Sequence, residues 1–281
     1  MFLPFFSQDT DFSAEGPKLL KIGWREASTF TGFCSKHDST TFRPLETREF
    51  DGSLQHCFLI GYRALCHEIH QKSRMLQSQQ TFLSLVDRGL PLKAQLETQR
   101  MGSAQNAGFR KGIEDFGRLK AIMDEQLLQG TYSGWRRTVI NFKGPLSVAS
   151  TGAVSPNRDL DGNELKVLHN PDALAEELLF GIVATEDGGA AVFLCRADDK
   201  APQIFVECLL RQEGRLCSLI VQFAFAYIEN TFFSKGWWDS LSDADRQHLA
   251  SLAWISNAYY EHFTYSYSRK DCALGGGGHS G

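Results

Sequence analysis

Two long helical stretches separated by a short break constrain this chain more than any other feature. In "LQHCFLIGYRALCHEIHQKSRMLQ", apolar residues fall at Leu54, Phe58, Leu65, Ile69 and Leu76, with Tyr62 between them. That recurrence marks one face of a helix. Ser53 is placed to cap its N-terminus. The helix is expected to run to about Asp87, where "RGLP" stops it, with Gly89 at the C-cap and Pro91 beyond. A second helix is expected from about Leu92 to Leu128. Phe109, Ile113, Phe116, Lys120 and Met123 trace its later face, joined by Leu119 and Leu127. Gly102, Gly108 and Gly112 weaken its middle and predict a kink or break there. Two such helices joined by a short turn pack antiparallel as a helical hairpin.

The pattern then changes period. "TYSGWRRTVINFKG" alternates and is rich in β-branched and aromatic residues, so it reads as a strand. "PLSVASTGAVSP" is a second strand, and "RDLDGNELKVL" a turn followed by a short one. "ELLFGIVATEDGGAAVFLCRA" is a hairpin, its apolar runs flanking Glu186-Asp187-Gly188-Gly189. The last third returns to helix: "APQIFVECLLRQEG", then "RLCSLIVQFAFAYIENTFF", then "LSDADRQHLASLAWISNAYY". In the last of these, Ser242 is the N-cap, with Asp243 and Asp245 in the first turn. Ahead of the hairpin, "PKLLKIGWRE" reads as a turn or strand, and residues 29–53 as a loop knuckle.

The fold class predicted is α+β. It comprises a loop knuckle (1–53), a helical hairpin (54–130), an antiparallel sheet with covering helices (131–270) and a flexible glycine-rich tail (271–281). The hairpin needs an apolar partner for its Phe-rich face, which favours one integrated core. A chain of 281 residues buries such a core without staples.

Cysteine usage and charge narrow the setting. The seven cysteines are scattered, with no C-x-x-C pair, and several lie in apolar runs. That is a reduced pattern and predicts a cytoplasmic protein. The longest apolar run, Leu216–Ile228, is too short to span a bilayer and is interrupted by Gln222, so no membrane partner is expected. Residues 1–150 carry 19 Lys+Arg against 15 Asp+Glu, and residues 151–281 carry 10 against 18. Between Arg63 and Lys143 the balance is 13 basic to 7 acidic. Arg63, Arg74, Arg110, Lys111 and Arg118 are therefore candidate phosphate contacts with DNA or RNA. A solvated helix surface explains the same charges.

Chemistry-bearing residues concentrate in "TFTGFCSKHDSTTFRPLE". Cys34 and His37 have the spacing of half a tetrahedral zinc site. His56, Cys57, Cys66, His67 and His70 are candidate further ligands, and Asp38 could add an oxygen. A packed loop is the competing reading. Asp38 with Glu46 could also form a nuclease-like carboxylate pair for magnesium. His67-Glu68-Ile69-His70 is one residue short of the H-E-x-x-H zinc helix, which requires histidines one turn apart. Near the C-terminus, "ENTFFSKGWW" places Glu229 and Asn230 at the end of an apolar helix, where a buried carboxylate needs a cation such as an arginine. Trp237 and Trp238 could stack on a base, or serve as core or interface. There is no P-loop, G-x-G-x-x-G, G-x-S-x-G or kinase motif set.

Three segments together, "GWREASTFTGFCSKHDSTTFRPLE", "CFLIGYRALCHEI" and "ENTFFSKGWWDSL", resemble a poorly characterised family of bacterial proteins. Its pattern is T-F-x-G-F-C-x-x-H-D, F-x-P-[IL]-E and E-N-x-x-F-x-x-x-W-W, and its N-terminus is similar to an HNH or treble-clef zinc knuckle. The resemblance implies an upstream Cys/His knuckle completing a zinc site opposite Cys34 and His37. Residues 1–33 of this sequence contain neither Cys nor His, and so lack the histidine base an HNH nuclease uses. Two functions are carried forward. One is a nucleic-acid-associated protein, a bacterial defence component or degenerate HNH-like nuclease. The alternative is a non-catalytic protein-interaction or scaffold protein.

Overall fold

The computed structural model describes residues 2–5, 18–21, 32–165 and 175–258. Its centre is an antiparallel sheet of β3 (Trp135–Lys143), β4 (Val148–Val154), β5 (Leu178–Thr185), β6 (Gly188–Arg196) and β7 (Thr231–Phe233). Their order is β7-β4-β5-β6-β3, and a hairpin of β1 (Phe2–Phe5) and β2 (Lys18–Lys21) extends the β7 edge. The β5–β6 hairpin closes through Glu186-Asp187, pairing Thr185 with Gly188 and Leu179 with Leu194.

Both faces of the central strands are buried, and each face has its own core. Phe180 and Phe193 point to one face. There they meet Phe205 of α5 (Lys200–Leu210) and Phe223 of α6 (Leu216–Tyr227). The Phe180–Phe193 and Phe180–Phe223 ring centroids are 5.0 Å apart, the spacing of favourable aromatic pairs. Much of the chain's phenylalanine is spent here. α7 (Lys235–Ser240) and α8 (Asp243–Ala258) complete this layer. Ser242 Oγ accepts from the Asp245 amide at 3.1 Å, as expected of an N-cap.

The other face carries α3 (Leu54–Leu83). Ser53 Oγ caps it, accepting from the His56 amide. From His56 to Leu65, α3 is buried almost without interruption. Phe58, Leu59, Tyr62 and Leu65 meet Leu179, Val192 and Leu194 of the sheet. Ile60 seats against the bare face of Gly181 in β5, and further along the Glu68 carboxylate reaches Gly152 in β4. The helix thus crosses the sheet obliquely from β6 towards β4 and continues past it. α4 (Leu92–Gln129) returns antiparallel and packs chiefly on α3. Its C-terminal half contributes Phe116, Leu119 and Met123 to the α3 core. Gly130, at φ 65°, ends it in the left-handed conformation.

Several expectations change. The knuckle is not a plain loop: it holds two short helices, α1 (Ser35–Thr41) and α2 (Arg43–Thr47). α4 runs unbroken through Gly102, Gly108 and Gly112. The apolar run after Arg215 does not form one helix: α6 stops at Tyr227, and "TFF" becomes strand β7. Arg158 and Glu164 form only an isolated bridge. The short strand expected after them and the glycine-rich tail lie outside the described residues.

Candidate functional site

The knuckle brings Cys34 and His37 together. Cys34 starts α1, and its carbonyl accepts from the Asp38 amide at 2.9 Å. One turn on, His37 Nδ1 lies 3.2 Å from Cys34 Sγ, with both residues exposed. Two ligands of one tetrahedral zinc ion would sit about 3.5 Å apart, so the pair fits two of four positions. The described residues do not bring Cys57, Cys66, His67 or His70 to it. Cys57 and Cys66 face the core of α3, where burial pushes each thiol up to about 11.

Asp38 and Glu46 are tied to a different partner. Arg63 of α3 donates to Asp38 Oδ1 at 3.2 Å and to Glu46 Oε1 at 3.4 Å. Its guanidinium lies 4.3 Å over the ring of Phe42, which is fully buried and packs edge-on against Phe33. A magnesium ion between these carboxylates would have to displace an arginine already supplying the positive charge. Arg63 is accordingly the clasp that holds the knuckle to α3.

Further along α3, His67 is buried and kept neutral. Burial, and then the neighbouring His70, lower its pKa to about 4. Glu68 was not singled out from the sequence. Its Oε1 lies 3.1 Å from where a β-carbon on Gly152 would stand. Burial pushes its carboxyl up to about 8; Lys72 pulls the other way, while Glu229 and Glu177 add like-charge repulsion. A sequence signal did exist. Gly61 and Ala64 mark the small-residue line where α3 approaches the sheet, and Glu68 continues it one turn on.

The C-terminal motif is mostly packing. Trp238 is buried and stacks on Phe233 at 4.8 Å, while Trp237 is partly buried beside it. Ser234 Oγ accepts from the Trp237 amide and so fixes the turn. Glu229 differs from expectation: it is exposed in the link between α6 and β7 and needs no buried cation. Asn230 is the buried member, with its carbonyl accepting from the Thr151 amide at 3.2 Å.

The basic residues of the hairpin are largely neutralised along their own helix. Lys111 pairs with Asp115 at 2.6 Å, Arg118 with Glu114, and Lys120 with Asp124 at 2.7 Å. Arg74 and Arg110 are exposed and make no ion pair among the described residues. The Gln79–Gln105 contact and the approach of Lys72 to Gly112 set the hairpin register, which puts these two arginines level with each other.

Beyond the sheet the hairpin reverses its polarity. α3 and α4 meet there through Gln79–Gln105, through Gln99 donating to the Leu83 carbonyl and to Asp87, and through Leu83 lying over Gly102. Asn106 is buried. A β-carbon on Gly102 would sit 2.4 Å from Leu83, so only glycine admits this approach. The large apolar side chains lie outside: Phe82 is 53% exposed, Leu92 70% and Leu96 64%, with Met75, Leu85, Val86, Leu90 and Met101 alongside. Sequence periodicity cannot distinguish this arrangement from a buried face.

Among the described residues, the one group of three potential ligands is Asp159, Asp161 and Cys208. Asp159 is already committed, its oxygens accepting from the Asp161 and Asn163 amides and from Asn163 Nδ2. Burial opposes its ionisation, but these bonds prevail and hold its pKa below the ordinary value. No helix among the described residues is long and apolar enough to cross a membrane. No family model, curated protein or solved structure matches this chain.

Proposed function

We propose that this chain is a protein-interaction or scaffold protein that works through the distal half of its helical hairpin. The reversed polarity of that arm carries the reading. Polar side chains and Leu83 hold the two helices together, while eight large apolar ones, from Met75 to Met101, are exposed. Large apolar side chains left in water in this number suit surfaces that something covers. The arm also has little else to do, since the core is complete without it. The test substitutes Phe82→Glu and Leu92→Glu separately. The reading expects unchanged thermal stability and loss of arm-dependent association in chemical cross-linking of the full chain. A collapse in stability would make these residues core and end the reading.

A second reading rests on Arg74 and Arg110. Two exposed arginines level on adjacent helices suit a phosphate backbone, which keeps a nucleic-acid partner in play. Binding of a DNA or RNA duplex that weakens steeply with salt, and is reduced by Arg74→Ala with Arg110→Ala, would support it. No shift at low salt would remove it. For Cys34 and His37 the proposal is a zinc half-site, tested by the zinc content of the purified protein beside Cys34→Ser.

A further inference from the structure

We infer that the open edge of β3 is a docking site for an extended peptide segment, added to the sheet as a further strand and carrying an acidic residue next to an aliphatic one. β3 ends the sheet on the side away from the arm, since α3 leaves past β4. It pairs with β6, and no strand among the described residues borders its other side. Two bonds flank this pair: the Ala197 amide donates to the Gly134 carbonyl, and the Gly144 amide to the Asp187 carbonyl. Alternation along an antiparallel ladder then puts the even-numbered residues of β3 in the pairs bonded to β6. The amides and carbonyls of Arg137, Val139 and Asn141 therefore point outward. Natural edges are blunted by proline, a bulge or brevity. β3 has none of these: it runs nine residues in unbroken register, without proline.

Two features beside the edge set what such a strand carries. Between β3 and α5 lies a cavity of about 70 Å³, lined by Thr138, Phe193, Val206 and Leu210. Arg136 and Glu207 also line it and pair with each other at 3.9 Å. On an added strand, the residue opposite Thr138 falls on the cavity's face of the sheet, where the space suits one small aliphatic side chain. Its neighbour, opposite Arg137, falls on the other face. Arg137 is exposed there, donates Nε to the Gly52 carbonyl at 2.7 Å, and is in no ion pair among the described residues. A carboxylate opposite it gains a cross-strand partner. The acidic tip of the β5–β6 hairpin, Glu186 and Asp187 with Glu49 beside them, flanks the Lys143 end, which places the peptide's acid at the Arg137 end. A second copy of β3 is the wrong strand. β3 holds Arg136, Arg137 and Lys143 and no acidic residue, so two such edges would gather three cations from each.

Fluorescence anisotropy and hydrogen–deuterium exchange on the full chain test this with the blocked, dye-labelled peptide VTVTVDT. Laid antiparallel along β3, it sets its last valine opposite Thr138 and its aspartate opposite Arg137. Binding is expected below about 1 mM, with the amides of residues 137, 139 and 141 exchanging fast in the free chain and slowly with peptide. Lysine in place of the peptide's aspartate should weaken binding about 3- to 10-fold, and Arg137→Glu in the chain should reverse that preference. The peptide VTVPVDT, with proline opposite Val139, loses a ladder donor and should bind about tenfold more weakly. The peptide variants carry the test even if Arg137→Glu unfolds the chain. Phe82→Glu in the arm should leave peptide binding unchanged, so the two surfaces stand or fall separately. Protection of those three amides in the free chain at every dilution, no binding at about 1 mM, or binding indifferent to both peptide changes overturns the site. Protection that grows with chain concentration in the absence of peptide gives the edge to a second copy and overturns it too.

Discussion

The two halves of α3 belong to one unbroken helix yet solve opposite problems. The first half, His56 to His67, lies on the sheet and buries nearly every side chain, polar ones included. The second, Arg74 to Leu83, has left the sheet and leaves Phe82 and Met75 in water while Gln79 and Leu83 face α4. The first is the more apolar, with eight apolar residues of twelve against four of ten, yet the second still carries Met75, Leu76, Phe82 and Leu83. What lies beneath differs too: the sheet in one case, and only a second helix in the other. A helix's apolar residues report that something covers them, but whether the cover belongs to the same chain depends on how far the helix outruns its own core.

This contrast can be broken most sharply by paired truncations. Phe58→Ala in the base should cost about 3–5 kcal/mol in urea denaturation, because it empties a fully buried site beside Trp135. Phe82→Ala in the arm should cost about 0.5 kcal/mol or less in the monomer. Equal losses would show that the arm is core after all. Between these extremes, Gly102→Ala should cost about 1–3 kcal/mol by forcing Leu83 out of the seam, and should speed proteolysis between residues 83 and 102.

Glu68 sharpens the comparison at the point where the base ends. Its folded pKa is raised from 4.5 to about 8, so the folded state holds a proton that the unfolded state has released. Stability from this group is intact below about pH 4.5 and declines as pH rises to about 8. Above that, Glu68→Gln should be the more stable protein by about 1–3 kcal/mol, while near pH 4 the two should agree. Melting curves across pH check this, and parallel profiles would place Glu68 in water. The smallest effect belongs to the knuckle. Arg63→Ala removes a half-exposed clasp between Asp38 and Glu46 and should cost about 1 kcal/mol or less, weakening further with salt.

How much of this was legible in advance depended on whether the local signal and the tertiary environment agreed. Both long helices were legible, because Ser53 and Pro91 punctuate a strong 3.6-residue pattern, although α3 ends at Leu83 with Ser84 as its C-cap, short of the Asp87 end and Gly89 cap expected. So was the β5–β6 hairpin, because Glu186-Asp187-Gly188-Gly189 admits little else. The break between α6 and β7 was hidden: in "FAFAYIENTFF" the apolar run is continuous, and a buried helix and a buried strand look alike there. The knuckle helices were hidden by Ser and Thr, which suit caps and turns as well as short helices. The glycines of α4 misled because Gly102 serves close packing against Leu83 rather than a bend. At the knuckle, the Cys34–His37 proximity followed from their spacing. The grip of Arg63 on Asp38 and Glu46 spans separate segments and carries no sequence signature.

The central claim is that one helix serves the chain's own core along one half and a partner along the other. Hydrogen–deuterium exchange resolved along α3, at about 1 and about 100 µM, addresses it most directly. The account predicts slow, concentration-independent exchange from residues 56 to 67. It predicts faster exchange from residues 75 to 83, slowed only when a partner covers the arm. Equal and strong protection of both halves at both concentrations would contradict it.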